Sequence, residues 1–407
     1  MARCRICEND YAEFISFGNM PIANGFLSSE EFESEYFFEL KVGFCADCQM
    51  VQLIDQPDRE QMFHQDYAFF SSLSRGQQIH FQALAEKLLS NYLDGDSPFA
   101  VEIGSNDGIM LQHIAAAGIS HLGVEPSENV ARAAQEKGVN SVSRFFDEEL
   151  AADVIQKYGH ADTISSANVI CHIPYMHSVL AGVKQLLKPT GVFIFEDPYL
   201  GDIVEKTSYD QIYDEHVFYF SVGSVSNMLT RHGLELFDVE PLSVHGGSMR
   251  YYIANRGTRE VSTRVAEQLA RETELGLHKI ETYNRLRTNI EKSREDLTTL
   301  LQKIVKEQGR PVIAYGATSK STTVLNYCDL GPELIEFISD TTPLKQGKYS
   351  PGMHIPVKSP DELEKSDPQY LLLFAWNHMQ EIMDKEVDFK DKGGRWIAYV
   401  PEVGILT

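Results

Sequence analysis

The sequence predicts an α/β protein in three parts: a small cysteine-clipped N-terminal segment, a central doubly wound parallel-sheet domain, and a smaller α/β domain at the C-terminal end. Three observations predict it. Four cysteines stand as two C-x2-C pairs, Cys4 with Cys7 and Cys45 with Cys48. Short apolar runs alternate with helix-period segments over 99–196 and again over 311–400, the pattern of parallel strands joined by crossover helices. Between these stretches, residues 260–308 are charge-rich and nearly free of breakers, with apolar residues at three- and four-residue steps. That periodicity predicts one long or two stacked helices dividing two domains. The expected divisions are 1–70, 71–255 and 256–407.

Taken in order, 36–44 reads as a strand leading into the second cysteine turn. A helix is expected over 76–93, with Ile79, Leu84, Leu88 and Leu89 on its apolar side. Strands follow at 99–103, 121–125, 163–169 and 192–196. Helices are expected at 109–117, 129–138 and 177–187, the last ended by Pro189 and Gly191. In the C-terminal third, strands are expected at 311–316, 334–339, 370–375 and 396–400, the first running into a glycine turn.

Composition bounds the function. The 407 residues carry 36 Lys and Arg against 59 Asp and Glu, a formal charge of −23. So acidic a chain has no broad positive field, which excludes general binding to nucleic acid or anionic lipid. No stretch approaches the roughly 18 consecutive apolar residues of a membrane span. The N-terminus lacks the apolar core of a secretory signal, so a soluble cytoplasmic protein with no membrane partner is expected.

Six cysteines are too few for a disulfide scaffold. Each C-x2-C turn presents two thiolates to one tetrahedral ion, and two such turns close its shell. Cys4, Cys7, Cys45 and Cys48 are therefore expected to hold a structural Zn2+. Cys171 and Cys328 stand alone and read as small buried residues.

Val101-Glu-Ile-Gly-Ser-Asn-Asp-Gly108 reads as strand, turn, helix. In open α/β sheets ligands lie beyond the carboxyl ends of the strands. The spacing Gly104-x3-Gly108 is not the G-x-G-x-x-G of a dinucleotide site. Glu102 and Asp107 make this turn acidic, a poor seat for pyrophosphate. It suits a cofactor bearing a cationic amino group and a sulfonium, S-adenosylmethionine. Glu125 ends the next strand, where a carboxylate can accept both ribose hydroxyls. Glu102, Gly104, Asn106, Asp107, Gly108 and Glu125 are the expected cofactor residues, in a pattern that resembles the class I methyltransferase fold.

Three further clusters carry chemistry. Tyr213-Asp-Glu-His216 and Asn168-Val-Ile-Cys-His172 bring imidazoles, a phenol and an acid; the second follows the 163–169 strand, at the cofactor's rim. His245-Gly-Gly-Ser248-Met-Arg250 offers a hydroxyl and a guanidinium. Methylating a carbon beside a ketone needs a base for a C–H proton and donors for the resulting enolate, and imidazole and phenol suit those tasks. In the C-terminal unit, Tyr315-Gly-Ala-Thr-Ser-Lys320 places Thr318, Ser319 and Lys320 at a Rossmann-like strand-to-helix turn, whose N–H groups and ammonium favour phosphate.

Along essentially its whole length the chain resembles the three-domain sugar C-methyltransferases of deoxysugar pathways. The cysteine pairs, the 101–108 turn, Tyr213-Asp-Glu-His216, His245-Gly-Gly-Ser-Met-Arg250 and Gly316-Ala-Thr-Ser-Lys320 carry the resemblance. It implies methyl transfer from S-adenosylmethionine to carbon, commonly C3, of a nucleotide-diphosphate 4-keto sugar. It implies His216 as the base, Tyr213 and Glu215 assisting, with Asn168, His172 and Tyr67 lining the sugar pocket. His172 is a further candidate enolate donor, and Ser248 and Arg250 are substrate candidates. Sugar O- or N-methylation, methylation at C5, and a non-catalytic binding protein are the competing readings. A nicotinamide enzyme lacks the glycine spacing it would need.

Overall fold

The computed structural model describes residues 3–57 and 71–406. Its described residues form three sheets. The N-terminal sheet is antiparallel and joins Ala12–Pro21, Phe37–Phe44, Val51–Leu53 and Phe218–Tyr219 in that order. Its second strand alternates as a half-buried strand should: Phe38, Leu40 and Val42 point inward, Phe37 and Glu39 outward. Its fourth strand comes from the central part of the sequence, two residues after His216, with Val51 opposite Tyr219. The zinc segment is thus hydrogen-bonded to the stretch that carries the candidate base.

The central sheet has seven strands in the order Leu234–Leu242, Ser248–Asn255, Leu187–Pro198, Ala161–Ala167, Phe99–Ile103, Ser120–Val124, Ser141–Val142. Phe99–Ile103 is buried at every residue, which explains its unbroken apolar run. Ser248–Asn255 pairs antiparallel on both sides, so the glycine-rich stretch at 245–247 is the corner of a hairpin absent from the sequence reading. The helix expected to end at Pro189 stops at Leu186, and Leu187–Pro198 continues through Pro189 as strand. Glu148–Tyr158 is a further helix, capped by Asp147 accepting from the Leu150 N–H at 2.8 Å.

Thr263–Leu275 and Ile280–Gln308 are the two helices of the charged stretch. Gly276, at φ +73°, ends the first of them. Tyr283, Leu286, Ile290, Leu297, Leu301 and Ile304 bury one stripe of the second against the N-terminal sheet and the C-terminal domain. The C-terminal sheet runs Val357–Lys358, Ile335–Ser339, Val312–Tyr315, Tyr370–Leu373, Arg395–Ala398, Gly404–Leu406; all pairs are parallel except the last.

In Arg75–Asn91 the buried stripe is Phe81, Leu84, Ala85 and Leu88. Ile79 is 62% exposed: at 100° per residue it sits about 160° from Phe81, on the opposite face. Cys171 and Cys328 are both buried.

Candidate active site

Each parallel sheet reverses its strand order once, and both reversals face one cavity of about 430 Å³. In the central sheet the reversal lies between Phe99–Ile103 and Ala161–Ala167, and in the C-terminal sheet between Val312–Tyr315 and Tyr370–Leu373. Such switch points open a crevice beyond the strand ends. The stretch from Tyr209 to His216 lies between the two.

At the central-sheet end, Glu102, Gly104, Asn106 and Glu125 line the cavity. Gly104 has φ +70°, and a Cβ there would lie 2.2 Å from Val169, so the turn requires glycine. Glu125 accepts the N–H groups of Asn106 at 3.1 Å and Ser127 at 2.9 Å. Glu102 Oε2 is buried and has no partner among the described residues. Burial raises the Glu102 pKa well above its usual range, and the carboxylates of Glu125 and Asp107 add to this. A bound cation would favour its ionised form. An unpartnered buried acid oxygen, a carboxylate at the next strand end and a turn that opens on a glycine fit S-adenosylmethionine. Asp107 and Gly108 stand off the cavity wall. The Asp107 carboxylate pairs with Lys137 at 2.8 Å and accepts from the Ser72 hydroxyl, while Gly108 packs against Val139.

In the middle, His216 Nδ1 lies 2.7 Å from the Gln211 carbonyl and Nε2 lies 2.8 Å from the Tyr213 hydroxyl. A carbonyl only accepts, so Nδ1 carries the proton and Nε2 presents its lone pair toward the phenol. The His172 ring stacks on His216 with centroids 5.1 Å apart. Burial lowers the His172 pKa to about 4. His216 falls well below 6.5, through burial first and the neighbouring His172 second. Both rings are therefore neutral at pH 7. Burial, with the Asp214 carboxylate beside it, pushes Glu215 up to about 8, leaving a largely protonated acid on the cavity wall. Asn168, at φ 56°, also lines this region.

At the C-terminal-sheet end, Thr318, Ser319 and Lys320 line the cavity at the start of the helix Ser319–Tyr327. Lys320 Nζ sits 5.3 Å from the Trp376 ring. Lys345 lies across the same end, its ammonium 2.7 Å from the Ala317 carbonyl. Burial lowers both ammonium pKa values, opposed by Asp210 for Lys320 and by Asp340 for Lys345. Two desolvated cations in one crevice of an acidic protein suit an anionic ligand.

Ser248 and Arg250 lie away from the cavity. They belong to the antiparallel strand, with Arg250 opposite Glu196 in register. The guanidinium binds the buried Glu196 carboxylate at 2.7 Å and Glu240 at 3.1 Å. The Ser248 hydroxyl donates to the Val244 carbonyl at 3.2 Å. Tyr67 falls outside the described residues. Sequence reasoning overlooked Asn24, Gln211 and Lys345, which line the cavity; so does His245, the first residue of the glycine-bearing cluster. It also overlooked Asp210, whose Oδ2 accepts from Trp376 Nε1 at 2.6 Å and the Tyr399 hydroxyl at 2.8 Å, tying the stretch that carries His216 to the C-terminal domain.

The four N-terminal cysteines are buried, with their sulfurs within 4.8 Å of one another. Cys4 and Cys48 are 3.5 Å apart and Cys7 and Cys45 3.4 Å. Tetrahedral zinc with Zn–S bonds near 2.3 Å implies sulfur separations of about 3.8 Å, so the set fits a closed structural zinc site.

Fold and site together define a methyltransferase that uses S-adenosylmethionine and carries a four-cysteine zinc site. Family models match the chain in three consecutive parts: a putative zinc binding domain over 4–63, a methyltransferase domain over 77–239, and a C-methyltransferase C-terminal domain over 243–401. The chain is 35% identical to the C-methyltransferase NovU of Streptomyces niveus over 409 residues, 99% of this chain and 96% of that one. It belongs to this three-domain C-methyltransferase family. The ubiquinone biosynthesis O-methyltransferase of Methylococcus capsulatus is 31% identical over 100 residues, 24% of this chain and 41% of that one. Among solved structures, magnesium protoporphyrin IX methyltransferase from Synechocystis PCC 6803 with bound S-adenosylmethionine covers 44% of this chain and 79% of its own, at 17% identity and a TM-score of 0.32.

Proposed function

We propose that the enzyme methylates C3 of a nucleotide-linked 4-keto deoxysugar, with His216 as the base. The observation that carries this reading is the single cavity joining an acidic cofactor turn, a pair of neutral imidazoles and a cationic turn. Thr318, Ser319, Lys320 and Lys345 hold the pyrophosphate, through a helix N-terminus and two ammonium groups. That anchors the nucleotide in the C-terminal domain and extends the sugar toward His216.

His216 Nε2 takes the C3 proton, which the adjacent C4 ketone acidifies, and the electron pair moves into a C3–C4 enolate. Tyr213, freed as the acceptor lone pair becomes N–H, donates to the C4 oxygen, and the protonated Glu215 and neutral His172 are further donors. Uncompensated protonation of His216 is disfavoured by burial, so proton transfer is coupled to the enolate charge beside it. S-adenosylmethionine, when bound, supplies an electrophilic methyl for the exposed carbon. Glu102, Gly104, Asn106 and Glu125 hold and orient it, and alignment of the two carbons supplies much of the rate. We place the second division at 255 so that Ser248–Asn255 stays with the central sheet to which it is paired.

The expected result in deuterium oxide, with S-adenosylhomocysteine in the cofactor site, is that the wild-type protein washes out the C3 proton of a 4-keto-sugar nucleotide. His216→Ala does not. Washout at C5 moves the reaction to that carbon. Equal washout by both proteins removes His216 from the role of base.

A further inference from the structure

The zinc-bearing N-terminal part reaches into the cavity. Ala23 is clamped on both sides: its N–H donates to Asp214 Oδ1 at 2.9 Å, and its carbonyl accepts from the Thr322 hydroxyl at 2.8 Å. A turn follows, with Gly25 N–H donating to the Ile22 carbonyl at 3.0 Å. Buried Phe26 then packs beneath Lys345, whose ammonium is 4.5 Å from the ring centroid. Asn24 is thereby fixed on the cavity wall, next in sequence to the residue that binds Asp214, which itself precedes Glu215 and His216 in the chain. Its Oδ1 is buried and has no partner among the described residues.

Gln211 repeats the arrangement from the base-bearing stretch. Its main-chain carbonyl holds His216 Nδ1 at 2.7 Å. Its side chain is fully buried and lines the cavity, and neither Oε1 nor Nε2 has a partner among the described residues. Buried polar atoms are nearly always paired, so the Asn24 amide oxygen and the Gln211 amide, both lining the cavity, mark places that a ligand fills.

The unpaired atoms also say which ligand atoms belong there. Asn24 Oδ1 and Gln211 Oε1 are acceptors, and Gln211 Nε2 is a donor. A ketone or a phosphate ester can meet the donor but brings no hydrogen to the two acceptors, whereas a hydroxyl or an amino group, which can donate as well as accept, serves both. We infer that Asn24 and Gln211 are specificity-determining residues that read protic substituents, hydroxyl or amino, on the sugar ring beside the reacting carbon, so that the zinc-bearing part takes part in substrate selection. This inference rests on the keto-sugar reading above and deepens it.

The test compares wild type, Asn24→Leu and Gln211→Met on three keto-sugar nucleotides: one with a ring hydroxyl beside the ketone-bearing region, one with an amino group there, and one with neither. Sites built to bond a protic group reject the analogue lacking it strongly. Wild type is expected to favour one protic substrate by at least ~10²-fold in kcat/KM, and which one it favours separates hydroxyl from amine. Each variant is expected to lose roughly tenfold or more on that substrate and little on the stripped analogue. Affinity for the nucleoside diphosphate alone and for S-adenosylhomocysteine, read by calorimetry, stays at the wild-type value. Variants that keep the wild-type preference, or that lose equally on all substrates, or that lose nucleoside diphosphate affinity, overturn the inference. The two substitutions lie on separate segments, so a folding failure in one leaves the other to decide. A wild-type protein that methylates none of the three substrates overturns the keto-sugar reading itself, a failure distinct from unchanged preference in the variants.

Discussion

Replacing His216 with alanine is expected to leave a folded protein that binds cofactor normally and turns over at least ~10²-fold more slowly, the lower range for loss of a positioned base. The geometry supports the separation. His216 touches Gln211 and Tyr213, whereas the residues proposed to hold the cofactor stand at the Phe99–Ile103 and Ser120–Val124 strand ends. Calorimetry with S-adenosylhomocysteine and steady-state kinetics check the two halves. The pH dependence is a second signature. His216 acts only when neutral, and burial and His172 hold its pKa well below 6.5. The acid limb of kcat/KM assigned to His216 must therefore fall below the ordinary histidine range, with the base fully available at pH 6.5 and above. Stability carries the opposite burden. Below about 6.5 the unfolded chain binds protons that buried His172 and His216 refuse, so the folded state loses stability as pH falls through that value.

Removing the zinc is the other large perturbation. Structural zinc contributes roughly 10–16 kcal/mol of apparent binding energy in small finger peptides, most of it expressed as folding. Here the shell clips residues 8–44 at their base and is packed with Ile6 and Met50 in the same apolar cluster as the central domain. Its loss should loosen Val51–Leu53, and with it the pairing to Phe218–Tyr219 just beyond His216. It should also release Ala23 from Asp214. Chelation, or Cys45→Ser, is expected to lower Tm by at least ~10 °C and to reduce kcat more than cofactor affinity. Zinc analysis, thermal denaturation and calorimetry check this. A zinc-free protein with the wild-type Tm and kcat would show the site to be dispensable.

Legibility in the sequence followed locality. Phe99–Ile103 is readable because burial on both faces demands an unbroken apolar run. The cysteine pairs, the Gly104 turn and Glu125 are readable because each is a short segment whose spacing alone limits its chemistry. Ser248 and Arg250 show the opposite case. Beside two glycines they resemble ligand groups, yet the strand pairing sets Arg250 against Glu196, and only knowledge of that register would have claimed the guanidinium for the sheet. Ile79 fails for a related reason: Phe81, not Ile79, sets the phase of its helix. Asn24 carries no local signal at all. It becomes a site residue through a hydrogen bond from Ala23 to Asp214, 191 positions away in sequence. Asp210 likewise gains meaning only when Trp376 and Tyr399 close on it.

The decisive measurement is where the methyl lands. With S-adenosylmethionine labelled with carbon-13 in its methyl group and a panel of 4-keto-sugar nucleotides, the product spectrum should show the labelled methyl joined to a ring carbon by one-bond carbon–carbon coupling, at the position that loses its proton. Label found only on oxygen or nitrogen, or no transfer to any member of the panel by protein that binds the cofactor, would contradict carbon methylation of a keto sugar by this site.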